Sequence, residues 1–159
     1  MSADYAGACA AIRARFEDQW KVGDDPRTSI AFVNEAFDFP SDDQGRSQPW
    51  VFFEIVHNGS YILGSGTPGS QTIVYEGLIK VRGYVPVDEG VTVGLSHAVA
   101  AGEIFRNKMF YDNVTAGCYV RSGFDVDGQP RIDEGDASSD DGQWFAVTAT
   151  IPFEYWHRG

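Results

Sequence analysis

The clearest two-residue period in the chain runs from Thr72 to Val87. Ile73, Tyr75, Ile79, Val81 and Val85 fall on one side of it, and Glu76, Lys80 and Arg82 on the other. Successive side chains of a strand point to opposite faces, so this pattern predicts a long antiparallel strand with one face in a core. Gly77 and Gly83 fall on the apolar side, where they mark a bulge or the close approach of a helix. Trp144–Tyr155 repeats the alternation, with Phe145, Val147, Ala149, Ile151 and Phe153 against Thr148, Thr150 and Glu154. Two long half-buried strands need a layer to cover their apolar sides.

Two segments have the period to be that layer. Over residues 3–20, Tyr5, Cys9, Ile12, Phe16 and Trp20 recur at spacings of three and four, with Arg13, Glu17 and Asp18 between them. Ser2 or Asp4 is placed to cap this helix, and Gly23 before Asp24-Asp25-Pro26 to end it. A second helix is expected over residues 91–110, with Leu95, Ala98, Phe105 and Met109 on one stripe. Ala101 and Gly102 would let it lie close to a sheet, and Asp88, Glu89, Arg106 and Lys108 suit its dipole. Shorter strands are expected at Ser29–Val33 and Trp50–Val56, with Gly59–Ser70 as a loop. Asp127-Gly128 reads as the turn of a hairpin between 117–126 and 129–132. The expected fold is α+β, a mostly antiparallel sheet with two α-helices packed on one face, in a single domain over residues 1–159.

Charge excludes one class of function. Twelve basic residues stand against twenty-three acidic ones, a formal net charge of −11, with no basic cluster in the sequence. Phosphate recognition draws its affinity from Lys and Arg, so direct nucleic-acid binding is not expected, nor docking on anionic lipid. An acidic wall past which DNA slides would be compatible with this charge. The N-terminus has neither the basic region nor the apolar run of a signal peptide, and no stretch approaches the ~18 apolar residues of a membrane span. Cys9 and Cys118 are too few for a disulfide framework and read as small buried hydrophobes.

The motifs that tempt a catalytic or ligand reading have simpler explanations. Gly64-Ser65-Gly66-Thr67-Pro68-Gly69 matches G-x-G-x-x-G, but Pro68 interrupts it and a strand rather than a helix follows. Asp125, Asp127, Gly128 and Glu134 fit positions three, five, six and twelve of a calcium loop, yet Gly123 stands where the first ligand belongs. His57, His97 and His157 are scattered singly, His97 on the exposed or half-buried side of its helix. There is no nucleophile elbow and no activated cysteine. No enzyme activity, cofactor or metal is therefore expected. Trp50 and Phe52 oppose Val51, Phe53 and Ile55, and Trp144 opposes Phe145 and Val147. Aromatics on both faces of a sheet mean either a second covering layer or a partner surface.

The N-terminal helix, Asn34–Pro40, Pro49-Trp50-Val51-Phe52-Phe53-Glu54-Ile55, the Gly-rich loop, Val74–Pro86, Glu89-Gly90 before a helix ending in Phe105, and Ile151-Pro152-Phe153-Glu154-Tyr155 follow in that order along nearly the whole chain. In this the chain resembles the tail terminator family of siphophages, which includes the lambda-like terminators and a related prophage domain of unknown function; gene transfer agents carry similar proteins. The resemblance implies an α+β subunit of a homohexameric ring. That ring ends the tail tube on the tail tube protein, and its other face meets the head-tail connector of the neck. It places the protein in the virion, assembled in the bacterial host cytoplasm. It makes Glu76, Lys80 and Arg82, beside Trp50, Phe52 and Trp144, the candidate subunit contacts, and suits loops that order on meeting a neighbour. The neighbouring alternative is a head-completion or tail-tube protein of the same virion. A small acidic enzyme or ligand-binding domain is the alternative from another class.

Overall fold

The computed structural model describes residues 3–113, 117–124, 127–135 and 143–158. Along the chain, α1 (Tyr5–Gln19) is followed by β1 (Lys21–Val22), β2 (Asp25–Pro26), β3 (Ser29–Phe32), β4 (Trp50–Leu63) and β5 (Thr72–Pro86). Then come α2 (Thr92–Phe105), β6 (Lys108–Asn113), β7 (Cys118–Ser122), β8 (Arg131–Glu134) and β9 (Trp144–Arg158). The main sheet has the order β3-β4-β5-β9-β7-β6, with β8 also on β9. Every pairing in it is antiparallel except β3 with β4. The fold is α+β, as the two periods imply.

Both helices meet the same side of this sheet. Register puts Val51, Gly83 and Val147 in one row, Phe53, Val81 and Ala149 in another, and Ile55, Ile79 and Ile151 in a third. Ala8, Ile12, Phe16 and Trp20 of the α1 segment and Ala98, Ala101, Ile104 and Phe105 of α2 join that face in one buried cluster. Asp4 caps α1 by accepting from the Gly7 N–H at 2.7 Å. Small residues set the approach of α2: a Cβ on Gly83 would stand 3.6 Å from the His97 Cβ, and one on Gly94 only 2.9 Å from a Val147 methyl. Gly83 thus marks a helix approach, whereas Gly77 lies beside the bulge between His57 and Gly59, under the Phe153 ring.

Several expectations need correction. Gly23 does not follow a helix as its stop. Trp20 is the C-cap, its N–H donating to the Phe16 carbonyl, and Gly23 (φ 64°) turns the two-residue hairpin β1–β2. The second helix ends at Phe105, so Met109 lies on β6 and is exposed rather than on a helical stripe. Asn107 at φ 48° makes the break. The strand expected to stop at Val56 runs to Leu63, which shortens the expected loop. β7 and β8 do not pair with each other. They lie end to end along β9, opposite 153–156 and 147–150, so Asp127-Gly128 belongs to an excursion between them. The calcium pattern's Asp125 lies outside the described residues, as do residues 136–142 of the acidic, Ser-rich stretch Glu134–Gly142 that the sequence reads as an exposed loop. Among the described residues no helix is long and apolar enough to cross a membrane.

Candidate interaction face

The side of the sheet away from the helices carries all six candidate contact residues. Along β4 and β5 its rows read Trp50 with Tyr84, Phe52 with Arg82, Glu54 with Lys80, Val56 with Leu78, and Gly59 with Glu76. Pro86–Trp144 and Glu76–Glu154 extend the same face onto β9. Alternation alone, counted from the apolar side, is enough to bring these distant residues together.

The lower part of this face is closed by the chain itself. Trp50 stacks on Tyr84 at 4.4 Å between ring centroids and meets Trp144 edge-on at 5.9 Å. Phe37 and Phe39, from the connection between β3 and β4, pack onto them at 4.9 and 5.4 Å. Trp50 and Trp144 are 9% and 8% exposed, and Phe52 is half-buried against them. Of the two explanations for aromatics on both faces, a covering layer is present at this end. The connection is held where it leaves the sheet: the Arg13 guanidinium lies 3.6 Å above the Phe32 ring and donates to Glu17 and Glu35. That donation keeps the exposed Glu35 carboxyl below its usual range. Phe39 stays 64% exposed on top of the cluster.

The middle and upper parts are polar. Arg82 donates to Glu54 at 3.1 Å, both partly exposed, a pair worth no more than about 1 kcal/mol. Lys80 is half-buried and Glu76 exposed. Glu154, beside Glu76 in register, accepts from both Arg121 Nε and the Trp156 indole. Arg121 in turn lies 3.8 Å from the Phe124 ring centre.

The exposed apolar end of the β4–β5 hairpin is not legible in the sequence. Tyr61, Ile62 and Leu63 are 42%, 54% and 45% exposed on a regular strand. The extra residue at the His57/Gly59 bulge breaks the alternation, and Gly59 and Gly64 made the segment look like a loop. The available signal was the apolar run Tyr61-Ile62-Leu63 between them. Gly64–Gly69 joins two antiparallel strands, so the motif has no helix N-terminus to present to a phosphate.

A groove of about 700 Å³ is lined by Glu17, Trp20, Pro26–Ile30, Phe32, Pro40, Gln48-Pro49 and His97. His97 is buried, against expectation, 5.8 Å from the Trp20 ring, and its Nδ1 has no partner. Burial, then the Arg27 charge, lowers its pKa from the ordinary 6.5. Below about pH 6.5 the unfolded chain therefore binds a proton that the folded chain refuses. The stability from neutral His97 is complete above that pH and is lost as pH falls below it. Melting at pH 7.5 and 5.5 should show a larger loss for the natural protein than for His97→Gln; equal losses would remove His97 as the cause. His57 lies against Tyr5 and Tyr75, while the His157 Nδ1 is 3.1 Å from the Tyr155 hydroxyl and 3.4 Å from the Cys118 sulfur. Among the described residues no group of three or more His, Cys, Asp or Glu could hold a metal.

Neither a family model nor a curated protein matches the chain. Among solved structures, one is similar in fold, with a TM-score of 0.57. It is 17% identical, and the match covers 95% of this chain and 96% of that one. At that identity the likeness concerns the fold alone.

Proposed function

We propose that this protein is a structural subunit of a virion, one of the ring that ends the tail tube of a siphophage or gene transfer agent and joins it to the neck. The observation that carries the proposal is the end of the β4–β5 hairpin, which presents Tyr61, Ile62 and Leu63 to solvent on a regular strand. Exposed apolar residues grouped on a regular element signify a protein partner more than a small ligand. The resemblance in element order to tail terminators supplies the kind of partner: further copies of the chain, the tail tube protein and the head-tail connector. The charge of −11 fits a ring whose lumen DNA traverses without being held. In this reading the chain needs no active site, and the polar residues Glu76, Lys80 and Arg82 serve subunit contacts.

The experiment that tests this adds the purified protein to polymerising tail tube protein. A terminator stops growth and sits at tube ends. A tail-tube protein would instead enter the tube along its length, and a neck protein would leave tube growth unchanged.

A further inference from the structure

Two edges of the main sheet have no strand partner among the described residues. In the lower rows both flanks of the central strands are covered: β3 pairs β4 over Trp50–Phe53, and β8 pairs β9 over Val147–Thr150. Higher up, the sheet is β4-β5-β9-β7-β6, and no described strand pairs the outer edge of β4 beyond Phe53 or the outer edge of β6. These two edges stand at the same height. His57, Gly77, Phe153, Ser122 and Lys108 form one row across the sheet, and Ser60, Tyr75, Tyr155, Val120 and Phe110 another.

The β4 edge above its bulge lacks the usual protection, whereas β6 is short, carries Lys108 and Asp112, and is bulged between Phe110 and Asn113. Exposed edges are normally blunted by charge, proline or shortness, because their free N–H and C=O groups recruit other strands. His57–Leu63 contains no charged residue and no proline, and ends in three exposed apolar residues. β6 carries Met109, 62% exposed, on the same face as Tyr61 and Leu63.

We infer that the outer edge of β4 in one copy takes β6 of the next copy as an added strand, with His57–Leu63 against Lys108–Asn113. This inference rests on the ring reading and names its junction. Its geometry follows from strand direction. β4, β9 and β6 run one way and β5 and β7 the other. Rotation about an axis along the strands preserves direction, so the junction is parallel. It is also heterologous, joining unlike edges, so it propagates from copy to copy and makes a ring where the rotation closes. Pairing of β6 with β6, or of β4 with β4, would be antiparallel and would stop at a dimer.

The test is cross-linking of concentrated protein carrying His57→Cys and Lys108→Cys, which share a row and a face. Both His57 and Lys108 are exposed on regular strands, so the fold tolerates the two substitutions. With a short bis-maleimide the double variant should give a ladder of covalent species from dimer upward, ending at the ring. Each single variant and the natural chain, the control for Cys9 and Cys118, should give none. Dimers from either single variant would overturn the heterologous junction. Rings seen by native mass without a ladder would overturn this junction and leave the ring reading standing. Monomers alone, without a ladder, would overturn both.

Discussion

Replacing Phe16 by alanine should lower the melting temperature by roughly 6–20 °C, the largest loss expected from any single truncation in the helix layer. Phe16 is fully buried where three elements meet. Its ring is 4.8 Å from Phe53 on β4, 5.0 Å from Trp20 at the end of α1, and 6.4 Å from Phe105 at the end of α2. Truncating a buried Phe loses its transfer energy and leaves a cavity, together about 3–5 kcal/mol. For a chain of this length, each kcal/mol shifts melting by about 2–4 °C. The cavity's walls are aromatic rings anchored on three different elements, so little collapse can offset the loss. Thermal unfolding followed by circular dichroism measures it directly. A shift under about 3 °C would mean that α1 is not packed on the sheet as described.

Trp50→Ala should cost about as much, some 3–5 kcal/mol, while Trp50→Phe should stay within about 1.5 kcal/mol of the natural protein. The indole holds together Tyr84, Phe37, Phe39 and Trp144 on the face away from the helices. Its N–H, however, is buried and has no hydrogen-bond partner. Phenylalanine keeps a ring against Tyr84 and removes a donor whose desolvation costs about 1–3 kcal/mol, so two opposing changes nearly cancel. The pair of variants also separates two roles for Trp50. As a cluster residue, its truncation is read in the melting curve of the monomer. As a subunit contact alone, its truncation would leave melting unchanged and abolish assembly.

The sequence made some levels of this structure legible and hid others, for physical reasons. Thr72–Val87 and Trp144–Tyr155 were readable because each has one buried face along its whole length, which leaves a two-residue period. α1 was readable through Ile12, Phe16 and Trp20 and the Asp4 cap. β6 was not, because Phe105, Met109 and Phe110 can be placed on a helix as easily as on two elements broken at Asn107. β7 and β8 misled through Asp127-Gly128, a local turn signal in a place where both flanking strands take β9 as partner. Of the candidate contacts, the shared face of Trp50, Phe52, Glu76, Lys80, Arg82 and Trp144 followed from alternation. That Phe37 and Phe39 cover the tryptophans did not, since the segment carrying them has no regular period. The exposed hairpin end was hidden by one extra residue at a bulge.

The central claim is that this chain ends a tube by assembling on it. The measurement that tests it most directly is electron microscopy of tail tube protein polymerised with and without the purified chain, with tube lengths and end densities recorded. The account predicts shorter tubes, each with a ring at one end, and no growth from ringed ends when fresh tube protein is added. Unchanged lengths with bare ends, or the chain spread along the tube walls, would contradict it.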